Sequence, residues 1–402
     1  MLRIAYFVSH PIQYQAPLLR FLAQCSDISV ETYFYSSFSV GSHREPDFAA
    51  RIEWDVPLCS GYKHQFLKRA CGSSDRSSSP WVPGLGLRRT LVGGGFDCIW
   101  VHGWAHVCSV QAIRTANKLG IPVLLRGETT PNCSRARGLK RVLHNLRYRQ
   151  VFSRTSAFLC IGSLNRQFYQ NFGVAVEKLF HVPYAVDNAF FQARCRAARA
   201  AREQLRASLG LDRARPVILF AAKFTEIKGP QDLLHAWLMT ASESDAAQLP
   251  YLLFVGDGPL KQPLERLAGV HNGTSIRFLG FKNQTELPAF YDLCDVFVLP
   301  SRFEPWGLVV NEAMNAGKPV IVSDRVGAGA DLVGHADNGW VFPAGNVTAL
   351  AKALQGACNL RSGLERMGKR SLARINKWDY DADYRGLQQA VAAVTTVHKT
   401  VG

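Results

Sequence analysis

Short, wholly apolar runs alternate with longer segments of helical periodicity along most of this chain. In the first half, residues 4–8, Cys98–His102, 123–125 and 157–161 read as buried strands, with helices predicted over 111–119 and 139–152. In the second half, Val217–Ala221, Tyr251–Val255, Val296–Leu299 and Val320–Ser323 repeat the theme. Strands that are apolar on both faces and alternate with helices belong to parallel sheets covered on both sides. Two such series predict an α/β protein of two doubly wound, Rossmann-like domains. Residues 182–191 (VPYAVDNAFF) read as the exit from the first, and 194–209 as a basic, Ala-rich helix leading into the second. Residues 71–95 are rich in Ser, Pro and Gly and read as a loop. Gly84 and Gly86 are followed by Arg89, so no dinucleotide fingerprint stands there.

Composition narrows the class. With 402 residues, 47% hydrophobic and 19% charged, the chain sustains two cores and is neither disordered nor collagen-like. Its ten cysteines are scattered, and no two are separated by two residues, which argues against a disulfide scaffold or a zinc site and for a reducing compartment. No run approaches the ~18 apolar residues of a membrane span. The opening LRIAYFVSH is too short for the core of a signal peptide, so the reading is a first strand and a cytoplasmic protein. The net charge is +16, of which +11 falls before residue 190. Such an excess attracts nucleic acid, anionic lipid or phosphorylated substrates without choosing among them.

The chemistry concentrates in residues 301–324, SRFEPWGLVVNEAMNAGKPVIVSD. Glu304 follows a strand at its C-terminal edge, where open α/β sheets bind ligands. A helix predicted from Leu308 to Gly317 offers free amides and a positive dipole end to an anion, and Gly307 allows close backbone approach. Glu312 comes eight residues after Glu304. Carboxylates are good acceptors for sugar hydroxyls. The same spacing also describes a plain strand–loop–helix with two solvated glutamates. Upstream, FAAKFTEIKGPQDLLHAW places Lys223 and Lys228 in a loop before a helix. There they suit a diphosphate becoming a leaving group, or are two surface lysines. The tight turn Gly256-Asp257-Gly258-Pro259 is weak by itself.

Together these residues resemble the retaining glycosyltransferases of family four, which have the GT-B architecture. The resemblance rests on Glu304 and Glu312 within PWG and EAMNAGKPVIVSD, the lysine pair, GDGPL, FLGF, YDLCDVFVLPS and NGWVFPAGN. It extends over roughly residues 182–342; the first half matches in outline only, through FDCIWVHGW and GIPVLLRGE. It implies an acceptor-side domain over 1–190, a nucleotide-sugar domain over 191–375, and a helix in 376–402 crossing back to the first, with a cleft between the two. It implies that Lys223 and Lys228 hold the donor diphosphate, that Glu312 accepts from the ribose, and that Glu304 orients the transferred sugar and stabilises positive charge. Trp306, Gly307, Leu308 and Val309 would touch sugar and phosphate through their backbone, and Phe281 and Lys282 would lie near the base. The implied reaction moves a sugar, with retention, from a nucleoside-diphosphate sugar to a saccharide or lipid-linked acceptor in cell-surface polysaccharide or glycolipid biosynthesis. The resemblance implies that neither a cofactor nor a metal is required. A scaffold of the same shape without turnover, and a nucleotide-sugar epimerase or phosphorylase, stand as alternatives.

Many relatives have a Gly-rich loop after the first strand, where this chain has SHPIQYQAPLLR. His10, Gln13, Tyr14 and Gln15 there suit an acceptor, or form a rigid turn. Where relatives often carry a histidine, this chain reads Arg126-Gly127-Glu128, and His102 ends a neighbouring strand. His102, Arg126 and Glu128 are therefore acceptor-side candidates. Asp379, Asp381 and Asp383 mimic a metal motif but read as acids at a helix start. Residues 135–154, RARGLKRVLHNLRYRQVFSR, contain Arg135, Arg137, Lys140, Arg141, Arg147, Arg149 and Arg154 and no acid. Leu139, Val142, Leu143, Leu146 and Phe152 recur near helical spacing there. The segment suits the anionic inner face of a membrane, or is a packed helix with its apolar stripe in the core. No nucleic-acid module accompanies the charge.

Overall fold

Apolar runs flanked by turn residues form the central strands, as their burial requires. A computed structural model describes residues 1–44, 51–70, 79–133, 138–242, 249–270 and 275–401. The chain divides into two compact units: Met1–His43, Val56–Ala185 and Tyr380–Gly402 form the first, and Arg44–Asp55 with Val186–Asp379 the second. Thus residues 44–55, expected inside the first domain, cluster with the second unit.

The strands of the first half are β1 (Leu2–Val8), β2 (Ile28–Phe34), the short pair β3 (His43–Arg44) and β4 (Arg51–Ile52), β5 (His64–Phe66), β6 (Cys98–His102), β7 (Val123–Arg126), β8 (Ala157–Cys160) and β9 (Leu179–His181). Seven of them form one sheet, in the order β5-β2-β1-β6-β7-β8-β9. Its pairings are parallel. One face packs on the helices Leu87–Gly94, Val107–Lys118 and Ser163–Asn171. On the other, Leu387, Ala390, Val391 and Val394 of the terminal helix Tyr380–Val401 join Ile4, Tyr6, Trp100 and Leu159. That helix approaches β9 so closely that a Cβ on Gly386 would lie 1.9 Å from the His181 carbonyl oxygen.

The second unit continues with β10 (Val217–Ala221), β11 (Tyr251–Val255), β12 (Ile276–Phe278), β13 (Val296–Leu299), β14 (Val320–Ser323) and β15 (Gly339–Phe342). They form a six-stranded sheet in the order β12-β11-β10-β13-β14-β15, again with parallel pairings. Leu233, Leu234 and Trp237 of helix Pro230–Ser242 and Leu350 and Leu354 of helix Val347–Asn359 seal one of its faces. The basic segment read as one helix over 194–209 is broken. Asn188–Ala198, capped by the Asp187 carboxylate on the Phe190 amide, passes through a 3₁₀ turn, Arg199–Ala201, into Arg202–Ser208.

In each large sheet the order reverses beside the sheet's first strand along the chain, β1 or β10. Such a switch point opens a crevice at the C-terminal strand ends, where doubly wound folds bind ligands.

Candidate functional site

In the second unit the crevice lies between the chains leaving β10 and β13. The first carries Lys223 and Lys228, the second Glu304, and three contacts tie them together. The Arg302 amide donates to the Ile227 carbonyl at 2.7 Å. The Arg302 guanidinium grips both oxygens of Asp232 at 2.9 and 2.8 Å. Lys228 Nζ donates to Glu304 Oε2. Gly229, at φ +68°, meets this loop backbone to backbone: a Cβ there would sit 2.6 Å from the Pro300 carbonyl oxygen. Glu304 is fixed by its own main chain, which accepts from the Gly327 amide at 3.0 Å and donates to the Arg325 carbonyl at 3.1 Å. Its side chain remains 12% exposed and that of Lys228 25%, so the ion pair sits at a rim open to a ligand.

Gly307, at φ +95°, turns the chain into helix Leu308–Asn315, and no side chain caps that start. The Val310 amide donates to the Gly307 carbonyl at 2.9 Å, so the amides offered to solvent or to an anion are those of Leu308 and Val309. Leu308 and Val309 are half-buried. Trp306 is enclosed instead, donating Nε1–H to Asn311 Oδ1 at 3.0 Å and stacking on Trp378 at 5.4 Å. The GDGP turn braces the lysine loop. The Phe224 amide donates to the Asp257 carbonyl at 2.8 Å, and the Leu260 amide to the Phe224 carbonyl at 3.0 Å.

Glu312 departs from the expected open position. It is fully buried, and its Oε2 accepts from the Tyr291 hydroxyl at 2.7 Å. The reason is helical phase: position 312 faces helix Leu287–Leu293, which carries Tyr291. Lys282 is drawn toward Glu286, 3.3 Å away, and Phe281 meets the edge of Trp54 at 6.1 Å. Trp54 escaped the sequence reading because it lies far from Phe281 along the chain. It is brought there with Glu53, whose carbonyl accepts from Asn283 Nδ2 at 2.7 Å, and Asp55, which accepts from the Thr285 amide at 3.0 Å.

In the first unit, His102 ends β6 within a polar network. The Tyr6 hydroxyl lies 3.0 Å and Gln15 Nε2 3.1 Å from its Nδ1, and Glu128 Oε1 3.4 Å from its Nε2. Tyr184 donates to the same Glu128 oxygen at 2.8 Å. Desolvation pushes the Glu128 carboxyl up. The hydrogen bonds and charge of His102, the Tyr184 hydroxyl and the Arg126 charge outweigh it and hold the group below its ordinary value. Tyr6 and Tyr184 carry no signature in sequence, being aromatic residues in apolar company. A cavity of about 280 Å³ opens beside Glu128, lined by Gly103, Trp104, Gly127, His144 and Tyr148. His10 bonds the neighbouring Ser9 hydroxyl at 2.9 Å and sits edge-on to Phe38, and Gln13 is half-buried in the same turn.

Arg126, expected to face an acceptor, is buried in the sheet. Its guanidinium pairs with Asp383 at 3.0 Å, both side chains being no more than 2% exposed. It also donates to the Pro183 carbonyl at 3.0 Å and lies over the Trp100 and Tyr184 rings. Asp383, read as an acid at a helix start, is therefore the buried partner of Arg126, and burial pushes its carboxyl up to about 6 against the pull of that cation.

Helix Gly138–Phe152 buries Val151 and Phe152 in the core, with Tyr148 packed against it. Leu139, Val142, Leu143 and Leu146 are each more than half exposed, beside Lys140, Arg141 and Arg149. The stripe is thus a surface feature and not core; Arg135 and Arg137 lie outside the described residues. No helix among the described residues is long and apolar enough to cross a membrane.

The family model for glycosyl transferases group 1 matches residues 201–374, which hold the lysine loop, Glu304 and Glu312. This stretch belongs to that family. An uncharacterized glycosyltransferase of Methanocaldococcus jannaschii is 37% identical over 142 residues, 34% of this chain and 35% of the relative. A D-inositol 3-phosphate glycosyltransferase of Jonesia denitrificans is 32% identical over 190 residues, 45% and 44% of the two chains. The chain thus spans less than half the length of these curated relatives. The fold is the GT-B pair of parallel-sheet domains. A sucrose-phosphate synthase from Thermosynechococcus elongatus superposes with TM-score 0.71 at 18% identity, over 99% of this chain and 100% of that one. An Anabaena protein, HepE, in complex with UDP does so with TM-score 0.73 at 14% identity, over 98% and 100%.

Proposed function

We propose that this protein is a retaining glycosyltransferase that moves a sugar from a nucleoside-diphosphate sugar to a saccharide or lipid-linked acceptor in polysaccharide or glycoconjugate biosynthesis. The observation that carries the reading is the partly exposed Lys228–Glu304 pair beside the start of helix Leu308–Asn315, which no side chain caps. A diphosphate bridging that start and Lys223 and Lys228 is neutralised as it leaves, the kind of preorganised charge that lowers such barriers most. Binding displaces Lys228 from Glu304 toward phosphate and frees the carboxylate to orient the sugar and stabilise an oxocarbenium-like centre. The lysines supply the positive charge, so no metal is needed for this step. Glu312 contacts a ribose only if its hydroxyls replace the Tyr291 donor, and otherwise secures the helix from behind. Phe281, Lys282 and Trp54 surround the expected place of the base. His102 and Glu128 take the acceptor side, with His10 and Gln13 nearer the first turn.

A thermal-shift panel of UDP, GDP, ADP and their sugar conjugates tests the donor. A ligand at ~100 times its dissociation constant adds ~2.7 kcal/mol to the folded state. Stabilisation by one nucleotide family, lost in a Lys223→Gln/Lys228→Gln variant, is the expected result, and the anomeric configuration of the product by NMR decides retention. Sugar-donor turnover to free isomers, or phosphate-dependent cleavage, would replace the reading with an epimerase or phosphorylase. Nucleotide binding without turnover for any acceptor would leave a scaffold.

The exposed Leu139, Val142, Leu143 and Leu146 among cations favour a second element of the reading, attachment of this helix to an anionic membrane surface. Flotation with phosphatidylglycerol vesicles, lost in Leu143→Ser/Leu146→Ser and absent with neutral vesicles, is the expected outcome. Equal flotation of both proteins would remove it.

A further inference from the structure

A larger cavity, about 750 Å³, opens at the opposite edge of the second sheet. Pro216, Asp295 and Pro319 line it, each immediately before the first residue of β10, β13 or β14, whereas Glu304 follows the far end of β13. A strand of four or five residues separates those edges by ~13–17 Å, so this is a different site from the one above.

Its walls are basic. Arg199, Arg202 and Arg206 come from the broken helix segment, Arg213 and Arg215 from the turn before β10, and Lys318 and Lys369 from beyond β13. The carboxylates that touch these groups are fewer. Asp292 faces Arg199 and Arg202, Glu203 faces Arg213, and Glu365 faces Lys369. Asp295 also acts on Arg202, while its own Oδ2 accepts from the Val217 amide at 2.7 Å. A positive surplus therefore remains. The inner wall is rigid: Arg206, 8% exposed, donates to the Asp212 carbonyl at 2.8 Å, Arg215 lies 3.9 Å over the Tyr251 ring, and Lys318 Nζ donates to the Asp292 carbonyl at 2.8 Å. The rim is open to solvent: the Arg199, Arg213 and Lys369 side chains are 64%, 77% and 75% exposed.

We infer that this cavity binds a small molecule carrying two or more phosphate groups. Guanidinium forks match phosphate oxygens in pairs, and the volume falls in the range of small-molecule sites and well above that of a single phosphate. The C-terminal end of helix Leu308–Asn315 faces the cavity through Ala316 and Gly317 and opposes an anion. That end amounts to about half a charge, less than the surplus on the walls.

Inorganic tripolyphosphate is the probe, with melting temperature and calorimetric titration as readouts at two ionic strengths. The expected result is stabilisation of the wild type, weaker at high salt. Binding should weaken about tenfold or more in Arg199→Gln/Arg213→Gln/Lys369→Gln: the Arg213–Glu203 and Lys369–Glu365 pairs are exposed and contribute little to folding, and the buried Asp292 keeps Arg202 as its partner when Arg199 is replaced. It should persist in Lys228→Gln. Arg213→Glu alone is the second variant and should weaken binding in the same direction. No stabilisation of the wild type overturns the inference. So does binding that survives the triple variant and disappears in Lys228→Gln, which places the anion at the site beside Glu304. Retention on phosphatidylglycerol vesicles through these residues with no tripolyphosphate binding also overturns it.

Discussion

Replacing Asp383 by Ala isolates what Arg126 does. The change leaves a guanidinium 2% exposed without its carboxylate partner, between the Trp100 and Tyr184 rings. Breaking a buried pair by removing one member costs about 3–5 kcal/mol, because the remaining charge stays desolvated. For a unit of this size each kcal/mol moves the melting temperature by roughly 2–4 °C, so the first unit should melt ~6–20 °C lower. Arg126→Met/Asp383→Leu, which removes both charges and keeps apolar volume, should recover most of that loss. Acidity gives a further signature. The folded-state value of Asp383, about 6, lies above its unfolded value of about 3.9. The folded protein then holds the extra proton between the two, so this group's contribution to stability falls as pH rises across roughly 4 to 6. Calorimetry of wild type and Asp383→Asn over that range should show the slope in the first and not in the second. A melting temperature unchanged within about 2 °C in Asp383→Ala, with a raised acceptor KM, would falsify the structural role and return Arg126 to the acceptor side.

Glu304→Gln should lower kcat by about 100-fold or more while donor binding changes little, as expected for a charge that matters most in the transition state; equal losses in both would contradict that division. Tyr291→Phe should cost about 1.5–3 kcal/mol in urea unfolding, since it removes a donor from a fully buried carboxylate, and no change would mean that Glu312 is held by its other contacts. Gly386→Val should destabilise the first unit by more than about 2 kcal/mol, because a Cβ there overlaps the His181 carbonyl oxygen at 1.9 Å; an unaltered melt would show that the terminal helix stands further off. Glu128 is held below its ordinary value, so its contribution is complete above about pH 4.5 and fades as pH falls through the lower folded-state value. Glu128→Gln should flatten that acid limb of the stability profile, and an identical limb would contradict the network.

The amino-acid sequence by itself determined the elements whose signal is local. Four-residue runs such as VFVL and VIVS, apolar on both faces, can be little other than central parallel strands, and Gly307 before LVVNEAMN marks a helix start. Strands with weaker signals escaped: β2 (ISVETYF) mixes polar and apolar positions, and β9 (LFH) has three residues. Residue types also named candidates in the second unit, since lysines after one strand suit a diphosphate and a glutamate after another suits sugar hydroxyls. Tertiary structure decided what each group faces. Lys228 reaches Glu304 because β10 and β13 are neighbours in the sheet, across a separation of 76 residues. Glu312 is enclosed because Tyr291 packs on its side of the helix, and Arg126 became a clamp because the terminal helix brings Asp383 onto the first sheet. The basic cavity is likewise assembled from segments between Arg199 and Lys369 that share no local pattern. Propensity and periodicity act between near neighbours along the chain, whereas desolvation and charge pairing depend on neighbours in space. A sequence can therefore name a group's chemistry, but only the fold sets its environment.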